Sequence, residues 1–167
     1  MNAPRPRRRR WDRLAVALAW LAVAPLAAPA QRPAGRQFEG RLDAILASTP
    51  SMQGGVAVNV PVGLYVRLGA AVAGGVAHRD GASRTAARGD LFARFLLDPF
   101  RESPWGVYGV GGLSAMYDGF EEWRPRVMAG VGVERGPRHG RAWGGELALG
   151  GGIRLTLFVR GARTTGR

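Results

Sequence analysis

The sequence has no cysteine, no lysine and only two histidines in 167 residues. Without cysteine there is no disulfide, no thiolate metal site, no cysteine nucleophile and no lipoprotein anchor. Because lysine is missing, all 24 cationic side chains are arginine. Past residue 30 no apolar run approaches the ~18 residues that mark a membrane helix, so no helix there is expected to span a bilayer. Acids are also scarce, 12 in number, which leaves a net charge of +12. Such an excess would suit a nucleic-acid partner only if it formed a patch beside a reading element. Residues 1–30 hold +5 of it and the rest is scattered along the chain, so no nucleic-acid partner is expected.

What is present begins with an address. Residues 1–13 are basic, and Leu14 to Ala30 are apolar, broken by Pro25 and ending in Ala28-Pro29-Ala30. That order of charged, apolar and small residues reads as a cleavable secretory signal peptide, with the mature chain starting at Gln31. The alternative is an uncleaved membrane helix, for which the stretch is short and proline-broken.

The remaining chain is rich in glycine and alternates with period two between turn residues such as Arg79-Asp80-Gly81 and Tyr117-Asp118-Gly119. Eight segments emerge: 37–46, 54–60, 64–77, 85–97, 105–117, 125–134, 142–149 and 153–160. In each, one parity is apolar and uncharged, as in Leu64, Val66, Leu68, Ala70 and Val72. The other parity mixes small residues and the bulky Tyr65, Phe92, Tyr108 and Phe158 with Glu39, Arg41, Asp43, Asn59, Arg67, Arg88, Asp90, Arg94, Arg126, Glu134, Glu146, Arg154 and Arg160. A soluble barrel would turn its apolar face inward, whereas an outer-membrane barrel turns it to lipid. Glycine and alanine on the polar face suit a crowded lumen, and its seven arginines can pair with its five acids in a low dielectric. Phe38, Phe95, Trp105, Tyr117 and Trp143 lie near segment ends on the apolar face, where an interfacial girdle belongs.

These features predict an all-β, antiparallel up-and-down transmembrane barrel of about eight strands over residues 37–160. A signal peptide (1–30) and a short lead (31–36) precede it, and a tail (161–167) follows. Three-residue turns are expected at 61–63 and 150–152, and an even strand count puts both termini in the periplasm. In pattern the sequence resembles the small outer-membrane barrels of the OmpA/OmpX type, most evidently in NVPVGLYVRLG (59–69) and SPWGVYGVGGLSAMYDG (103–119). It departs from them in lacking a terminal aromatic, in its short outer loops, and in three segments (54–60, 142–149 and 153–160) below the roughly 9–11 residues of a span. The resemblance implies a bacterial outer-membrane location, a monomer, lipids as surroundings, and the export and barrel-assembly machineries as partners.

Catalytic signals are sparse. His78 sits near Asp80 and Ser83, the residue types that some lipid A-modifying barrels use, but no nucleophile signature surrounds it, and a solvated turn histidine is the plainer account. His139 falls in another turn. Asp118, Glu121 and Glu122 lack the spacing of a calcium loop, and the glycine clusters have no strand–helix unit to make a dinucleotide site. No cofactor or metal is expected. Eight strands leave a lumen just wide enough for side chains, so the expected role is structural, in envelope integrity or in surface interaction. The alternatives are a soluble periplasmic barrel holding a lipid-like ligand and, third, a lipid A-modifying enzyme.

Overall fold

The computed structural model describes residues 35–98, 103–138 and 141–162, so the signal segment and His139 lie outside the described residues. Eight strands run in chain order: β1 Gln37–Leu46, β2 Ser51–Val62, β3 Val66–Arg79, β4 Ala82–Leu96, β5 Trp105–Tyr117, β6 Arg124–Arg138, β7 Arg141–Leu149 and β8 Ile153–Ala162. Each pairs antiparallel with its successor, and β8 returns to β1, closing the barrel. Stepping across the pairs from Ala44 through Leu155, Leu147, Val131, Gly109, Phe95 and Val66 reaches Val62, three residues past the partner of Gln37. The circuit therefore closes about ten residues from its start, a stagger that goes with strands tilted by roughly 35–45°.

The three segments expected to fall short of a span do not: β2 has 12 residues, β7 has 9 and β8 has 10, the length of a tilted span. Ser51, Met52 and Gln53 belong to β2, and its turn to β3 lies at 63–65 instead of 61–63. Pro61 is tolerated within β2 because it sits beyond Asn59, the last residue paired to β1, where one strand edge has no neighbour. Tyr65 is consequently an exposed turn residue and not a lumen one. Between β3 and β4, Asp80 and Gly81 both have positive φ (51° and 78°), the type I′ geometry that matches strand twist in a two-residue hairpin.

The facing is inverted relative to a soluble barrel. Leu42 is 66% exposed while its neighbour Asp43 is 2%, and Leu91 is 65% exposed against 3% for Asp90. Charged and aromatic side chains fill the interior, while the outward side chains of the central band are aliphatic. Three aromatic rings cross the lumen, and each lies against a glycine directly opposite on the next strand: Phe92 on Gly69, Tyr108 on Gly132 and Phe158 on Gly144. A Cβ at any of these glycines would collide with the ring, so their small size is a packing requirement. Gly132→Val should therefore displace Tyr108 and cost roughly 1–3 kcal/mol. Gly109→Val, on the outward face with nothing within 4 Å of the added Cβ, should cost far less. Urea titration of both variants refolded in detergent measures the difference.

Candidate functional site: a charged lumen and two rims

The barrel brings inward-facing charges from six strands into one interior. At its centre the Arg94 guanidinium donates to Glu39 at 2.7 and 2.9 Å, to Glu146 at 2.7 Å and to Asn59 Oδ1 at 3.1 Å. Its planar face lies 4.9, 5.0 and 5.3 Å from the rings of Phe92, Phe158 and Tyr108. Arginine suits this position, because its flat cation can stack and donate in plane at once. The Tyr108 hydroxyl donates to Glu146 at 2.9 Å, and Arg41 donates to the same carboxylate at 2.9 Å.

Along the strands away from the termini, Arg88 bridges Asp43 (2.7 Å) and Asp90 (3.0 Å), and Arg154 adds a second cation to Asp90 at 3.0 Å. Ser114 donates to Asp90 and Thr156 to Asp43. Nearer the termini, Glu134 accepts from Arg67 and Arg160. Each of the five carboxylates Glu39, Asp43, Asp90, Glu134 and Glu146 thus lies within ion-pair distance of two arginines. This alternation makes the burial of so many charges tolerable, since an ion left without a partner in a low dielectric costs several kcal/mol.

Arg126 stands apart from this lattice. Its side chain is exposed and makes no ion pair among the described residues; it lines a hollow of about 80 Å³ with Ser51, Gln53, Asp118 and Glu122 at the mouth. Asp90 pairs with Arg88 and Arg154, not with Arg94. Asn59 and Ser114 lie on the inward parity as expected, and Thr156 joins them there as a further hydrogen-bonding partner of the charges.

His78 and Ser83 are cross-strand partners flanking the Asp80-Gly81 turn, with Nδ1 and Oγ 3.1 Å apart. Both are exposed, and the Asp80 carboxylate meets Arg79 instead of the imidazole. Among the described residues no acid contacts the ring, and Ser83 lines a wide, open depression with Val76, Arg84, Thr85 and Tyr117, so the geometry does not bring the three together as a catalytic set. Nor does any group of three or more metal-ligating side chains occur among the described residues.

The aromatic residues divide between the two ends of the barrel. Phe38, Phe95, Trp105 and Trp143 belong to the end that holds the start of β1 and the finish of β8, here the terminal end. There the two indoles meet edge to face at 5.2 Å, with Arg135 5.7 Å over Trp105. At the opposite, hairpin end, Tyr117 stacks on Trp123 at 5.7 Å.

No protein-family model matches the sequence, and no curated relative does either. Solved structures do match. The N-terminal β-barrel domain of Pseudomonas aeruginosa OprF aligns at a TM-score of 0.58 with 14% identity, over 78% of this chain and 98% of that one. A de novo designed transmembrane β-barrel aligns at 0.56, also at 14% identity, over 78% of this chain and 97% of the design. At that identity the likeness is one of fold: the chain has the architecture of the small eight-stranded outer-membrane barrels.

Proposed function

We propose that this protein is a plugged bacterial outer-membrane barrel with a structural role in the envelope, delivered by removal of residues 1–30. The observation that carries this reading is the pairing of an outward aliphatic band with a lumen filled by paired charges and three crossing rings. Lipid accommodates the first without a packed partner, and the second suits an eight-stranded interior just wide enough for side chains. The turns at the hairpin end are short (47–50, 80–81, 118–123 and 150–152), which offers little surface for adhesion. A soluble barrel holding a lipid-like ligand would need an apolar interior, and here the interior is ionic.

The expected result is recovery in the detergent-resistant outer-membrane fraction, with heat-shifted gel mobility and an N-terminus at Gln31. In planar bilayers the purified chain should show no large steady conductance. Stable openings of porin size, or recovery from the periplasmic extract, would overturn the reading.

A further inference from the structure

We infer that the terminal end of the barrel carries a binding site for an anionic phospholipid, built on Arg135 and Arg141 with the indoles of Trp105 and Trp143. This rests on the membrane reading above and adds a specific lipid partner to it. Trp105, Arg135 and Trp143 occupy one cross-strand row, Arg135 being the register partner of both indoles. The guanidinium leans over Trp105, and the two rings hold the row rigid. Just past Arg135 the β6–β7 register shifts, and Arg141 opens β7 on the same outward face. Neither arginine has an ion-pair partner among the described residues. Gly161 stands opposite Arg141 with open space where a Cβ would lie, so a headgroup can approach that cation.

Charge separates the two ends. Outside the lumen, the terminal end carries Arg36, Arg135 and Arg141 against Asp98 alone among the described side chains. At the hairpin end Arg79 pairs with Asp80 and Glu121, and Arg124 pairs with Glu121, while Asp118 and Glu122 lie nearby. Arg84 and Arg126 complete the described cations at that end, where four arginines meet four acids, so among the described side chains only the terminal end carries a net positive charge.

Below the charged row the surface accepts an acyl chain. One residue pair deeper into the band come Val107, Val133 and Gly145, all three at the edge of an apolar groove. This groove of about 820 Å³ runs across the outward face, lined almost wholly by aliphatic residues such as Val131, Leu147 and Leu157. Cations at headgroup level, indoles at the interface and a groove directly beneath match the three layers of a phospholipid. With both chain ends in the periplasm, this rim faces the phospholipid leaflet.

The test uses the full mature chain reconstituted in mixed bilayers of phosphatidylethanolamine, phosphatidylglycerol and lipid A. Retained lipid is read by native mass spectrometry, and folding by heat-shifted mobility. Phosphatidylglycerol should be retained in preference to phosphatidylethanolamine by about fivefold per arginine. Arg135→Gln combined with Arg141→Gln should abolish that preference, and Arg135→Lys should keep most of it. Gly145→Leu, which puts an aliphatic side chain into the groove without changing charge, should weaken retention of both phospholipids. Equal retention by the native chain, or a preference that survives the double glutamine variant, would overturn the site while leaving the membrane reading intact. A preference for lipid A over phosphatidylglycerol would also overturn it, by placing this rim in the other leaflet. Failure of the native chain to insert at all would instead sink the membrane reading, and the site with it.

Discussion

Replacing Arg94 with glutamine is expected to cost about 3–5 kcal/mol, the usual penalty for taking one partner out of a buried ion network. The substitution leaves the buried Glu39 and Glu146 carboxylates sharing Arg41 as their remaining cation. It also removes the flat cation that fills the space between Phe92, Tyr108 and Phe158. A second change, Glu39→Gln, should recover a substantial part of the loss, since it restores charge balance and leaves an amide within reach of Asn59. Urea titration in lipid of the two single variants and the double completes the cycle. An Arg94→Gln variant as stable as wild type, or a double variant worse than the sum of the singles, would mean that the lattice does not hold the lumen together.

One residue of parity separates lipid from lumen in β4, and the adjacent pair Asp90 and Leu91 should each reject the chemistry that the other requires. Asp90→Leu puts an isolated aliphatic group where Arg88 and Arg154 converge and leaves the Ser114 hydroxyl without its acceptor. A loss of about 3–5 kcal/mol is expected. Leu91→Arg puts a cation into the aliphatic band, where the cost is about 2–4 kcal/mol near mid-depth. Leu91→Ala and Leu91→Phe should both be mild, because lipid adapts to either shape, whereas a packed core would lose roughly 2–5 kcal/mol with alanine. A severe Leu91→Ala together with a tolerated Asp90→Leu would reverse the facing and refute the barrel as a membrane protein.

Most of the architecture was legible because alternation survives in the sequence wherever one face meets lipid and the other meets charge. Leu64 to Val72 show it without interruption, and their strand could be placed to within two residues. Legibility fell where turn-forming residues sit inside strands. Gly54 and Gly55 masked the start of β2, which hid Ser51 and Gln53, and Pro61 imitated a turn that lies two residues later. The inward set was readable from parity alone, including Glu39, Arg88 and Arg160. Who pairs with whom was not, because Arg94 and Glu146 stand 52 residues apart and meet only through the circumference of the closed barrel. The ring–glycine pairs were half visible: Phe92, Tyr108 and Phe158 stood out on the polar parity, but register was needed to match each with its glycine.

The seam between β1 and β8 sets the tempo of assembly. Seven of the eight interstrand ladders join neighbours in sequence and can zip outward from their own turns, several of which span only two or three residues. The eighth joins Leu46 to Ile153 and Gln37 to Ala162, and so closes a loop of more than one hundred residues. Loop-closure entropy grows as the logarithm of length, which makes this step about 3 kcal/mol less favourable than closing a tight hairpin. Contacts across that seam, such as Arg41 on β1 with Glu146 on β7 and Asp43 on β1 with Thr156 on β8, mature only as it shuts. A chain halted before that moment exposes two unpaired strand edges and a half-neutralised row of arginines to the bilayer. Substitutions along β1 and β8 should for this reason slow insertion more than equal losses placed in the β3–β4 hairpin, which forms early from local sequence.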